Sequence, residues 1–334
     1  MRASPYPVPA WRVTLDGRDL TDRLAPRLLD LTLSESRGDE ADQVDLRLHD
    51  HDGRVALPKR GVTLQLAIGW RDGGLFDKGT FVVDDVEHSG APDIVIIRAR
   101  SADLTGAVRR RRERSWHNTT LGDILGTIAG EHSLRPAIAA ELAPTAIPHL
   151  DQANESDINL LTRLAKRFDA VATVKAGTLI FAPIAAGTTP SGTPLPGVHI
   201  IRASGDQHRY TVVDRESHTG VRAYWGDRNA ARRKAVLVGT PDNEKKLRAT
   251  YATEAEARQQ AKAELSRLTR GIAQLSYKLA LGRADVYPEQ TVRVSGLKPE
   301  IDGTQWLVVK ADHSIGAGGY STTLELERRL QDLF

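Results

Sequence analysis

Residues 152–170 read QANESDINLLTRLAKRFDA and carry the pattern around which the rest of the chain is arranged. Asn154 and Ser156 can each accept a hydrogen bond from an unpaired amide of a first helical turn. Glu155 and Asp157 put negative charge where the helix dipole favours it. Ile158, Leu161, Leu164, Ala165 and Phe168 then recur at three- and four-residue spacing, which predicts the apolar stripe of an amphipathic helix. Arg163, Lys166 and Arg167 lie late on the other side, where cations suit the C-terminal end. On this reading Leu161→Ala or Leu164→Ala costs about 2–5 kcal/mol as a core truncation. Asp157→Asn costs less than about 1 kcal/mol, the size of a dipole and capping contact.

Upstream of that helix the period changes to two. Trp11, Val13 and Leu15 alternate with polar residues, as do Leu29, Leu31 and Leu33, then Val44, Leu46 and Leu48, then Val62, Leu64, Leu66 and Ile68. Phe81 to Val83 and Ile94 to Ile97 follow, with Asp-Gly turns as punctuation, and the series predicts an antiparallel sheet curled into a barrel over residues 1–107. A middle α/β domain is expected over 108–203. Thr120 and Asp123 open a helix whose stripe is Ile124, Leu125, Ile128 and Ala129. Pro144 and Pro148 break the connection to the 152–170 helix, and a Lys175-Ala176-Gly177 turn joins two strands of a hairpin. After the loop TTPSGTPLPG at 188–197, strands resume at 210–213, 221–225 and 236–238. Thr253 and Glu256 open a helix over 253–270 whose stripe, Ala257, Ala261, Leu265 and Leu268, is narrow and calls for close packing. Strands at 275–281, 292–294, 306–309 and 320–326 complete a second β-barrel domain over 204–334. The expected fold is mainly β, two similar antiparallel barrels flanking an α/β insert.

Two strands from opposite ends nearly repeat. GTFVVDDVEHS at 79–89 and GTQWLVVKADHS at 303–314 align with Phe81 on Trp306 and His88 on His313. They predict one barrel unit used twice, with residues 60–100 superposing on 288–328. His88 and His313 have no third ligand group nearby in sequence, so they read as turn-facing residues ending a strand, not as metal or catalytic groups.

The literal string at 152–165 says more than its period. Gln152, Glu155, Ser156, Asp157, Leu161, Arg163, Leu164 and Ala165 match a signature that resembles the late control protein D family of contractile phage tails, related to the N-terminal part of the VgrG spike proteins of type VI secretion. Leu160-Leu161 stands where that family often has an aromatic residue. The Trp116 segment before the Thr120 helix also resembles the family. The resemblance implies a baseplate hub: a homotrimer between six-fold tail tube protein and three-fold tail spike protein, among other baseplate proteins, around a channel through which DNA passes. It implies a virion component assembled in the host cytoplasm, with no catalytic role for the signature residues. The family's historical name suggests an alternative, a DNA-binding regulator of late transcription. That requires a helix-turn-helix, and neither the Thr120 nor the Thr253 helix lies in one.

Composition narrows the remaining classes. The 334 residues hold no cysteine, which excludes disulfides, thiolate metal sites and a cysteine nucleophile. Lys and Arg number 46 against 43 Asp and Glu, so charge is mixed and not polarised toward nucleic acid. Arg109, Arg110, Arg111, Arg112 and Arg114 form the one basic cluster, read either as a solvated loop or as a contact with a partner or the channel. No hydrolase, P-loop or dinucleotide motif occurs, so no cofactor and no enzymatic activity are expected. No apolar run suits a membrane span or a signal peptide, and no membrane anchor is expected.

Overall fold

Leu31, Leu33, Val44, Leu46 and Leu48 alternate with polar neighbours, and the strands Leu28–Ser36 and Gln43–His49 bring all five onto one buried face. The computed structural model describes residues 6–38, 40–101, 110–175, 177–212, 218–227 and 232–330. Its largest element is a 13-stranded sheet in which both ends of the chain take part. The molecule is mainly β.

The first β unit has the two-residue strand Arg18–Asp19 at its edge and then six strands in the order Pro9–Leu15, Thr63–Trp70, Gly74–Ser89, Ile94–Ser101, Gln43–His49, Leu28–Ser36. The second holds Val198–Ile201, Thr291–Ser295, Gln305–Gly316, Gly319–Arg328, Ala273–Leu279 and Gly205–Val212 in the corresponding order. Each encloses its own apolar core, around Phe81 in one and Trp306 in the other. The two are not separate bodies. The far half of Gln305–Gly316 pairs antiparallel with Leu28–Ser36, and this seam makes the sheet continuous.

Three features depart from the sequence reading. Arg111, Arg112 and Arg114 of the arginine cluster lie in no loop: Arg111–Thr120 is a strand paired with Ala146–Ser156. The latter replaces the proline-broken connector and helix start that the sequence predicts. Pro148 is tolerated because a two-stranded ribbon always leaves each strand an unpaired edge. The helix therefore begins later, at Asp157, with Ser156 as its N-cap, and Asn154 and Glu155 belong to the strand. Its buried stripe is Leu160, Leu161, Leu164, Ala165 and Phe168, while Ile158 is only half-buried. Third, the strands at 221–225 and 236–238 lie outside the second β unit. Gly220–Asp227, Arg232–Gly239 and Glu244–Tyr251 make a separate three-stranded sheet. The helix Glu254–Gly271 packs its Ala257, Ala261 and Leu265 face onto that sheet, as the small residues require.

The Thr120 helix forms as its sequence dictates. Thr120 Oγ1 accepts from the Asp123 amide and Asp123 accepts from the Thr120 amide, each at 3.2 Å, a reciprocal cap of about 1 kcal/mol. Leu121–Glu131 then buries Ile124, Leu125, Ile128 and Ala129 against Leu160, Leu164 and Phe181. The hairpin Ala170–Lys175 with Thr178–Pro183 closes this middle core.

Candidate functional site

The signature residues converge on one buried carboxylate. Asp157 is 0 % exposed, and two side chains converge on each of its oxygens. Oδ1 accepts from Gln152 Nε2 at 2.8 Å and from Arg114 Nη2 at 2.7 Å. Oδ2 lies 2.8 Å from His132 Nε2 and 3.2 Å from Arg112 Nε. Strand alternation sends Arg112, Arg114 and Trp116 to the same face, which is why two guanidiniums spaced two residues apart meet one acid. Arg114 also donates to Gln152 Oε1 at 2.6 Å, bridges to Glu131 and lies 4.7 Å over the Trp116 ring. Burial raises the Asp157 pKa, but hydrogen bonds from Gln152 and His132 and the charges of Arg114 and Arg112 outweigh it. The net effect holds the group below the ordinary carboxylate value.

The other signature residues serve the same joint. Gln152, fully buried, also donates to the Glu155 carbonyl at 2.9 Å. Arg163 pairs with Glu155 at 2.7 Å and reaches the Asp151 carbonyl at 2.8 Å. Ser156 caps the helix, and Leu161, Leu164 and Ala165 fill the core beneath. The arrangement ties the strand Arg111–Thr120 to the helix Asp157–Phe168 by charge and hydrogen bonding. Glu131, His132 and Asp157 bring three ligand atoms within 4.8 Å of one another, a spacing a cation could use. Two guanidiniums already neutralise the carboxylates there, so the donor set favours arginine over a metal.

The remaining predicted positions scatter. Arg110 and Arg111 are exposed, and Arg109 lies outside the described residues. Phe81 and Trp306 are both buried at the centres of their units. His88, expected to face a turn, is half-exposed, 3.8 Å from Asp50. His313 does not face a turn. It is buried in the seam, 3.1 Å from Glu35 Oε2 and 3.0 Å from both Thr322 Oγ1 and Tyr320 Oη. Lys78 meets the same Glu35 oxygen at 2.5 Å. Burial raises the Glu35 pKa, but the His313 hydrogen bond and the Lys78 charge overcome it and bring it to about 2. Burial pushes His313 down, so it sits neutral and Lys78 is the countercharge.

A second network, half-buried around the buried Arg270, was not legible in the sequence. Arg37 pairs with Glu289 at 2.5 Å and Glu327 at 2.6 Å. Arg270 joins Glu327 at 3.1 Å and also binds Asp169, the residue in left-handed conformation that ends the Asp157–Phe168 helix. Charged groups from both β units, from the Glu254–Gly271 helix and from the end of the Asp157–Phe168 helix thus enter one network, beside a cleft of 930 Å³ lined by Arg163, Arg167 and Arg267.

A protein-family model described as phage tail baseplate hub (GPD) matches residues 41–319. The chain belongs to that family. The probable baseplate hub protein of Escherichia phage P2 is 42% identical, over 97% of this chain and 94% of that one. The 43 kDa tail protein of prophage MuSo2 from Shewanella oneidensis shares the fold at a TM-score of 0.72 and 16% identity, covering 95% of this chain and 98% of its own. A chain of the Francisella PdpA–VgrG complex shares it at a TM-score of 0.59 and 8% identity, over 100% of this chain and 60% of that one. The hub is therefore a structural component of the virion tail, with a fold common to VgrG-type proteins. Among its described residues no helix is long and apolar enough to cross a membrane.

Proposed function

We propose that the hub is a non-enzymatic, trimeric symmetry adaptor. Three copies form a ring whose six β units, each curled about its core as a barrel, face the six-fold tail tube protein. Three-fold features face the tail spike protein and come from the middle domain and from the sheet carrying the Glu254–Gly271 helix, which occur once per chain. Other baseplate proteins pack outside, and DNA passes only in transit through the centre. No metal or cofactor takes part.

The observation that carries this reading is the equivalence of the two β units in register. Val83 and Asp85 flank a bulge against Ile94–Ser101, and Val308 and Lys310, their aligned counterparts, flank a bulge against Gly319–Arg328. A second bulge falls between Leu28 and Asp30 in the first unit and between Gly205 and Gln207, at the matching place, in the second. Bulges are local irregularities, so two coinciding pairs support one ancestral unit used twice. The first of the six matched strands differs: Pro9–Leu15 runs antiparallel to Thr63–Trp70, and Val198–Ile201 parallel to Thr291–Ser295. Such differences supply what a three-fold partner can distinguish. Counting hub chains per purified tail particle by quantitative mass spectrometry tests the reading. Three copies per particle are expected, and six would overturn it.

A further inference from the structure

Within one chain the second unit docks onto the first by strand pairing, and each unit carries both halves of that contact. In the second unit, Gln305–Gly316 pairs with Thr291–Ser295 as far as Leu307. From Lys310 onward the same edge pairs with Leu28–Ser36 of the first unit. In the first unit, Gly74–Ser89 pairs with Thr63–Trp70 as far as Val82, and from Asp84 onward that edge has no strand partner among the described residues. The receiving strand shows the reverse. Leu28–Ser36 has Gln43–His49 on one side and Gln305–Gly316 on the other, whereas among the described residues its equivalent Gly205–Val212 has only Ala273–Leu279 and ends the sheet. One donor edge on the first unit and one acceptor edge on the second are left open.

Building on the ring reading above, we infer that neighbouring subunits join by repeating this seam: residues 86–89 of one copy pair antiparallel with 209–212 of the next. Ladder equivalence fixes the register. Leu33 faces Val44, which faces Ala99, which faces Val83. Tyr210 faces Leu275, which faces Leu326, which faces Val308. Val83 and Val308 are counterparts, so Leu33 and Tyr210 are too. In the existing seam His313 faces Leu33, so His88 of one subunit faces Tyr210 of the next. Val86 then faces Val212, Glu87 faces Thr211 and Ser89 faces Arg209.

The side chains suit the pairing. Val212, 52 % exposed, meets Val86, which already packs on the rim of the first core. On the outer face Ser34 donates to Asp312 at 2.5 Å in the existing seam, and Thr211 opposite Glu87 places a hydroxyl against a carboxylate at the same position. The contact is heterologous, donor edge to acceptor edge, so repetition with the intrachain seam alternates the two kinds of unit, and the three-copy ring requires its rotation to close. It also covers two bare strand edges that would otherwise recruit unrelated strands.

The absence of cysteine makes the test clean. Val86→Cys with Val212→Cys, and separately Ser89→Cys with Arg209→Cys at exposed positions, are incorporated into tail particles and run on non-reducing gels. Disulfide-linked dimers and trimers holding most of the hub are expected. The shifted pair Val86→Cys with His208→Cys, about 13 Å out of register, is expected to stay monomeric under the same conditions. If neither matched pair links while an amine cross-linker traps trimers, the pairing is wrong and the ring stands. If particles yield no trimer by either route, the ring reading fails and this inference with it.

Discussion

Replacing Asp157 by asparagine tests the centre of the signature. The native carboxylate accepts from Gln152 and Arg114 on Oδ1, while Oδ2 faces His132 and forms an ion pair with Arg112. Asparagine keeps one oxygen and turns the other into a donor, so in either orientation two of those groups face a donor. Two lost charge-assisted contacts at about 1.5–3 kcal/mol each set an upper bound. Arg112 and Arg114 retain Glu131 and some solvent, which trims the loss. About 3 kcal/mol is expected, the low end for a broken buried pair. That is well above the sub-kilocalorie cost that a solvent-exposed first-turn aspartate would carry. Hydrogen–deuterium exchange by mass spectrometry reads it locally: amides of the Asp157–Phe168 helix should exchange about a hundredfold faster. Asp151→Asn, at an exposed neighbour, should leave them unchanged. The double change with Arg114→Met should cost less than the sum of the singles. A threefold or smaller change for Asp157→Asn would refute the carboxylate as the counterion that holds strand to helix.

Leu164→Ala, at a fully buried site in the middle core, should cost about 2–5 kcal/mol, read as a lowered urea midpoint. Charge reversal of the exposed Arg110 and Arg111 should leave the melting temperature within a degree, while reversal of Arg112 and Arg114 should lower it by several degrees; equal effects would contradict the pairing described. Acid should loosen the seam in two stages. His313 sits below its ordinary 6.5, so an unfolded chain protonates first and stability falls as pH drops below about 6.5. Glu35, at about 2 in the fold against about 4.3 unfolded, contributes fully above the upper value and is lost towards the lower. Thermal melts from pH 8 to 4 should show the upper stage vanish in His313→Asn.

The period-two runs exposed most of the strands because one face of each is covered, and Thr120, Thr253 and Ser156 mark helix starts by local chemistry alone. The arginine strand was illegible for a different reason. Charged residues have weak strand preference, and the ladder that holds it extended is with Ala146–Ser156, beyond an intervening helix and strand. Its signal was nevertheless present in the spacing of Arg112, Arg114 and Trp116. The burial of Asp157 could not be read from a first-turn position, because exposure there is set by what packs above the helix. The Arg37, Glu289, Glu327 and Arg270 network joins residues from opposite ends of the chain, and no local pattern announces it. His88 and His313 share a register yet differ in burial, because a neighbouring strand covers only one of them.

The seam also imposes an order of events during synthesis. Ser34 and Asp312, bonded across it, lie 278 residues apart in the chain. At a translation rate of about 5–20 residues per second, the Leu28–Ser36 edge waits roughly 15–55 s for its partner. Every other strand of the first unit has by then emerged, so that unit can condense early while one side stays sticky. Nascent chains crowded on one messenger can exchange their last hairpins during this interval, a long-range closure of the kind that slows folding. A chain cut short before Gln305 never masks the edge. Completion of the message, sensed as a covered strand, thus separates assembly-competent subunits from fragments.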